Sequence, residues 1–197
     1  MKKYWWHKSK NHTAIFSLIA ASFIVLLGFV SVYVERAIKT RPLPASVGIP
    51  GQLVIPAIGV NTLIQSVGVD TVGRMGLPSN FTDVSWYKYG PRPGDSGSAV
   101  IAGHLDTAVD TNAVFADLSI LKEGDLISII DKTGQEILFK IIGKEVYDED
   151  KAPLEKIFNQ SGSARRLNLV TCDGTWNPKT KNYSQRLVIY SERVPDK

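Results

Sequence analysis

The sequence predicts a mainly β domain, a barrel or sandwich carrying a few short helices. Runs rich in Val, Ile, Leu, Thr and Tyr recur through the C-terminal three quarters of the chain, separated by Gly, Pro, Asn and Asp clusters. Only two short stretches show helical spacing. With 197 residues and 44% hydrophobic content, what remains after the N-terminal segment is enough for one sizeable core.

Taken in order, residues 1–13 form a short basic tail containing Lys2, Lys3, Lys8 and Lys10. Residues 14–34 carry no charged side chain, and a helix of about 20 apolar residues crosses a hydrocarbon layer of roughly 30 Å. A cleaved signal peptide has a shorter apolar stretch, about 7–15 residues, ending at a small-x-small site. Tyr33-Val34-Glu35-Arg36 offers no such site, so the segment reads as a single transmembrane signal anchor. Four lysines precede it, while Arg36, Lys39 and Arg41 follow. That margin places the N-terminus in the cytoplasm and the remainder outside the cell membrane. Residues 35–50 include Pro42, Pro44 and Pro50 and read as an extended stalk. The folded domain is expected over 51–197.

Within that domain strands are expected over 52–55, 62–67, 98–103, 125–131, 135–147, 167–172 and 184–194. Lys132-Thr133-Gly134 supplies a hairpin connection in which Gly134 takes positive φ. After Thr111, the residues Val114, Phe115, Leu118 and Leu121 recur at helical spacing and read as a core-facing helix. Pro153 suits the first turn of a second helix running to Phe158.

The net charge of +4 is not evenly spread. Seven basic residues and one acid, Glu35, lie in the first 50 residues, so the rest of the chain is slightly acidic. The basic excess belongs beside anionic headgroups and gives no reason to expect nucleic acid.

Cys172 is the only cysteine, and His104 the only histidine beyond position 12. A lone cysteine forms no internal disulfide and is either a small buried hydrophobe or a reactive thiol. Thiol chemistry needs a base or a positive neighbour, and His104 is the one imidazole available in the domain. Alternation directs Asn168, Val170 and Cys172 to one side of their strand. Cys172 is then expected to end that strand at a rim, where Asp173-Gly174 opens a loop. Arg186 lies in an otherwise apolar strand. There it either snorkels to solvent or stabilises a thiolate and a developing oxyanion.

These residues resemble the sortases, cysteine transpeptidases of Gram-positive cell surfaces. The family's Thr-Leu-x-Thr-Cys segment is matched by Asn168-Leu169-Val170-Thr171-Cys172, with Asn in place of the first Thr. Gly103-His104 matches the upstream histidine and Arg186 the downstream arginine. The resemblance implies a closed eight-stranded β-barrel with the site at one end. It implies that Cys172 attacks the threonine carbonyl of a Leu-Pro-x-Thr-Gly-like sorting signal and that a peptidoglycan-precursor amine resolves the thioacyl enzyme. His104 is implied as acid and then base, and Arg186 as the group that holds substrate and opposes oxyanion charge. The compact domain places the chain nearest the class F or D groups, and the want of a second apolar span after Val194 argues against pilin polymerisation.

Supporting roles stay open at this point. Asp106 either orients His104 or bonds its own loop backbone. Thr171 is an oxyanion donor or a packing residue, and Trp176 walls the groove or pins its loop. Specificity is expected from 148–166 and 173–183. No cofactor is required, although Asp148, Glu149 and Asp150 offer oxygens for a calcium ion, as in some sortases. Two other functions compete: a non-catalytic wall-binding or scaffold domain, and an L,D-transpeptidase, whose Ser-His-Gly-Cys-x-Arg arrangement is missing before Cys172.

Overall fold

Each described strand has a hydrogen-bonded neighbour on both sides. The computed structural model describes residues 47–107, 113–159 and 161–195. Its strands are β1 (Pro50–Ile55), β2 (Val60–Val67), β3 (Val84–Tyr87), β4 (Gly97–Ala102), β5 (Leu126–Asp131), β6 (Glu136–Asp148), β7 (Arg165–Asn177) and β8 (Asn182–Arg193). They close into a barrel in the order β1-β2-β3-β4-β7-β8-β6-β5, which leaves no strand edge to template aggregation. The expected eight-stranded closed barrel is therefore the fold observed. The apolar run 14–34 lies outside the described residues. Among those described, no helix is long and apolar enough to cross a membrane.

Alternation builds the core. Along β6, Ile137, Phe139 and Ile141 are buried while Glu136, Leu138 and Lys140 face out. Leu53 and Ile55 of β1, Ile127 and Ile129 of β5, and Leu167 and Leu169 of β7 meet them inside. Each such side chain contributes about 1.5–3 kcal/mol relative to exposure. Phe115, Leu118 and Leu121 join the same interior, so that stripe is core as expected. Its backbone is irregular, however: turns lead into a single 3-10 turn at Leu118–Ile120 instead of a regular helix.

The strand without a sequence signal is β3, Val-Ser-Trp-Tyr. It shows no alternation because Val84, Ser85 and Trp86 are all buried. Its polar atoms are met internally, with the Ser85 hydroxyl 3.1 Å from the Gly76 carbonyl and Trp86 Nε1 donating to Pro91 O at 3.1 Å. Only four residues long and pressed on both faces, it lacks the period that marks a half-buried strand.

Packing against the barrel already includes residues 47–50, the last of the expected stalk. Val47 is buried in the core, Arg92 Nη1 donates to its carbonyl at 2.8 Å, and Gly48 N donates to Asp131 Oδ2 at 3.0 Å. Asp131 Oδ1 also accepts from Thr133 N, Thr133 Oγ1 and Gln135 N. One buried carboxylate thus closes the 132–134 hairpin, where Gly134 has φ 89°, and fastens the incoming chain.

Outside the barrel wall a second apolar cluster forms from Val100, Ile157, Val188 and Tyr190. It is covered by the connection from β6 to β7, which holds a 3-10 turn (Glu149–Lys151) and one α-helical turn, α1 (Leu154–Ile157), with Pro153 at its N-cap, one position before the first turn where the sequence placed it. Buried Asn168 of β7 donates to the Ile157 carbonyl at 2.7 Å, and Ser98 N donates to Asn159 O at 2.6 Å. The connection is therefore pinned over β4 and β7, where it forms one wall of a groove.

Candidate active site

In β7, Leu167, Leu169 and Thr171 point into the barrel and are buried, so Cys172 points outward. It is half-buried. Its partner across the antiparallel pair is Arg186 of β8, and side chains directly opposite one another stand about 4.5–5.5 Å apart at Cβ. The strand does not end at Cys172 as expected. A bulge between Asp173 and Trp176 shifts the register, and pairing then resumes to Asn177 and Asn182. Gly174 supplies the bulge with φ 80°, and a Cβ there would collide with the Ser184 side chain. The stretch 173–183 is thus mostly a hairpin and only briefly a loop.

Arg186 does not snorkel. Its strand is paired on both sides, with β6 and β7, and its side chain is only 21% exposed. Nη1 donates to Tyr183 O at 3.0 Å and Gln185 O at 2.7 Å, Nη2 donates to Asn182 Oδ1 at 2.7 Å, and Glu149 lies 3.5 Å from Nη2. The guanidinium is held in place by its own strand. Burial pushes the Cys172 thiol above its ordinary pKa; Arg186 opposes that shift, while Asp106 and Glu149 add to it.

His104 follows the end of β4, two residues past Ala102. Gly103 N donates to Val170 O at 3.2 Å, and Phe115 N donates to His104 O at 3.0 Å. The imidazole rests on the connection between β2 and β3, with Nε2 3.4 Å from Pro78 O and the ring 4.9 Å from that of Phe81. Glycine precedes His104 for a packing reason: a Cβ at 103 would sit 2.5 Å from the Phe115 ring. Phe115 is fully buried and has little room to retreat. Gly103→Ala is expected to cost about 1–3 kcal/mol by overpacking, seen as a lower urea midpoint at unchanged slope; a wild-type midpoint would show that the ring yields freely.

Thr171 settles on packing for its hydroxyl. Oγ1 donates to Gly103 O at 2.9 Å inside the barrel. It thereby ties the residue before Cys172 to the residue before His104. Asp106 accepts a hydrogen bond from the Tyr183 hydroxyl, a partner from β8 that neither sequence alternative named. Trp176 lines the groove and packs on Tyr183 with ring centroids 5.2 Å apart. In the 148–150 run, Asp148 pairs with Lys151 at 2.8 Å while Glu149 faces Arg186. Among the described residues no group of three or more His, Cys, Asp or Glu side chains forms a metal cluster.

Cys172, His104 and Arg186 line one groove of about 1060 Å³. A neighbouring hollow of about 530 Å³ continues past Arg186 and is walled by apolar side chains including Met75, Tyr87, Leu154 and Phe158. The arrangement suits an extended ligand with an apolar end and a reacting end beside the thiol. Sequence reasoning missed Tyr183, Pro78 and Phe81, whose contacts with the Asp106 and His104 side chains span 77, 26 and 23 positions and leave no local signal.

The family model described as Sortase domain matches residues 53–194. Among solved structures, sortase C-1 from Actinomyces oris is 24% identical, covers 74% of each chain and superposes with TM-score 0.57. A lid mutant of sortase A from Corynebacterium diphtheriae is 21% identical, covers 84% of this chain and 80% of that one, and gives TM-score 0.58. Sortase C from Clostridium perfringens SM101 is 18% identical, with coverage of 75% and 71% and TM-score 0.55. No curated protein sequence matches the chain.

Proposed function

The chain belongs to the sortase family, and we propose that it is a membrane-anchored cysteine transpeptidase acting on proteins with a Leu-Pro-x-Thr-Gly-like sorting signal. The Cys172 thiolate attacks the threonine carbonyl carbon, and the peptide bond to the following residue breaks. His104 as imidazolium gives its proton to the departing amine. The resulting thioacyl enzyme is attacked by a cell-wall amine, whose proton returns to the imidazole as the thiolate leaves. Arg186 donates to the developing oxyanion. The observation that carries this proposal is the register pairing of Cys172 with Arg186 on the floor of a groove that also contains His104. The apolar hollow beyond Arg186 takes the apolar residues of the signal, and residues 14–34 hold the enzyme to the membrane.

The test is incubation of the purified full chain with sorting-signal peptides and an amine acceptor, read by mass spectrometry. A thioacyl adduct and a transfer product are expected. If neither forms across several signal sequences, the non-catalytic wall-binding alternative gains instead.

We also propose that the reaction needs no metal, because thiol, imidazole and guanidinium supply nucleophile, proton carrier and oxyanion donor. Lys151 and Arg186 already engage Asp148 and Glu149. Turnover should be unchanged by calcium or by a chelator, and a calcium-dependent rise would reassign the 148–150 acids as ion ligands.

A further inference from the structure

We infer that Tyr183 is a positioning residue, acting through Asp106 to hold the loop that carries His104 against the β7–β8 hairpin that carries Cys172 and Arg186. The inference rests on the transpeptidase proposal for the chemistry and goes beyond it by naming what holds the imidazole loop in place across the groove. Such a tether acts at a different point from the described contacts of the imidazole itself. Its described contacts are a long 3.4 Å approach to Pro78 O and a tilted ring contact with Phe81, both from the opposite wall. The backbone just before His104 is tied to β7, with Gly103 N donating to Val170 O at 3.2 Å and Gly103 O accepting from Thr171 Oγ1 at 2.9 Å, and the Tyr183–Asp106 bond adds a tie from β8 on the other side of the histidine.

Tyr183 is built to do this. It lies near the start of β8, in register with Trp176, and its ring packs on the indole at 5.2 Å. Its carbonyl accepts from Arg186 Nη1 at 3.0 Å, while its hydroxyl donates to Asp106 Oδ2, two residues beyond His104. One residue therefore grips the guanidinium with its backbone and the histidine loop with its side chain. The bond to Asp106 is the main cause that pushes the Tyr183 phenol up to about 12, so it keeps its proton and remains a donor at working pH. Asp106, Tyr183, Trp176, His104, Cys172 and Arg186 all face the same groove, so a slackened tether opens the reacting end of the site.

Tyr183→Phe removes the hydroxyl and keeps the ring. In the full chain in detergent, kcat for acyl transfer should fall about 10-fold to 100-fold, the loss typical of a small misplacement, with KM within about twofold and the melting temperature nearly unchanged. Asp106→Ala should match it, and Asp106→Asn, whose amide oxygen still accepts, should recover most of the rate. The double variant Y183F/D106A should be no worse than either single one. A second readout needs no substrate: alkylation of Cys172 by iodoacetamide against pH. Besides His104 in the groove, Arg186, Asp106 and Glu149 are the charged groups that act on the thiol. Releasing the Asp106 carboxylate from its place should move the alkylation profile to lower pH in Tyr183→Phe, in the same direction as in Asp106→Asn. Wild-type kcat with an unmoved profile overturns the inference, as do additive losses or a rate loss that only tracks unfolding. If the wild type acylates no peptide, the transpeptidase proposal fails while the alkylation profiles still decide the tether.

Discussion

Cys172→Ala should abolish acyl transfer and remove every thioacyl adduct from the mass spectrum, because the chain has no second thiol to take over. The loss should be chemical, not structural. Cys172 points away from the barrel interior and is only half-buried, so truncating it leaves no cavity in the main core, and stability should change by less than about 1 kcal/mol, as for substitutions away from cores and buried networks. Cys172→Ser tests the same point more strictly, since it keeps nearly the same volume but offers a hydroxyl that stays protonated. Its rate should fall close to that of the alanine variant. The wild-type thiol sits above its ordinary pKa chiefly through burial, so only a minor thiolate fraction exists at neutral pH. Alkylation of the free enzyme should therefore keep accelerating as pH rises beyond the usual thiol range near 8.5. A profile centred below that range would mean that Arg186 outweighs burial. A variant without Cys172 that still transfers acyl groups would remove the thiol from the mechanism.

The groove explains why these three residues could be singled out in the sequence and their supports could not. Cys172, His104 and Arg186 are each unusual in their local setting: a single thiol, the one imidazole of the domain and a guanidinium in an apolar strand. Alternation along β7 already set Cys172 on the face opposite Leu167, Leu169 and Thr171, and burial of those three shows that its face is the outer one. The β-rich character was legible from strand-forming runs between turn residues, and β6 alternates cleanly because one of its faces is wet, whereas closure into a barrel came from the resemblance alone. β3 escaped because both of its faces are covered, which erases the period. The strand end expected at Cys172 failed because Gly174 permits a bulge, and Asp-Gly reads alike as a bulge or as a loop. Tyr183 and Asp106 were hidden by distance along the chain: their bond joins residues 77 positions apart, and nothing local marks an ordinary tyrosine as the partner of an ordinary loop aspartate.

Arg186→Ala should reduce kcat by about 10²- to 10³-fold, the loss typical when one oxyanion donor is removed, with the barrel still folded. Two effects act together. The positive charge that opposes the upward shift of the Cys172 thiol is gone, so the alkylation profile should move to still higher pH. That part is recoverable by raising the pH, whereas loss of the oxyanion donor is not. Arg186→Lys separates them. An ammonium keeps the charge and should leave the alkylation profile near that of wild type. It lacks the planar fork that lets Nη1 bond Tyr183 O and Gln185 O while Nη2 bonds Asn182 Oδ1. Acyl transfer by the lysine variant should accordingly stay low at every pH, even where its thiol is as reactive as the wild type's. Glu149 adds a further discrimination, since it lies 3.5 Å from the guanidinium and its charge pushes the thiol up. In Glu149→Gln the thiol profile should move to lower pH while the three β8 bonds still hold Arg186 in place. If Arg186→Lys transfers acyl groups at the wild-type rate, charge alone is what the site requires of this position.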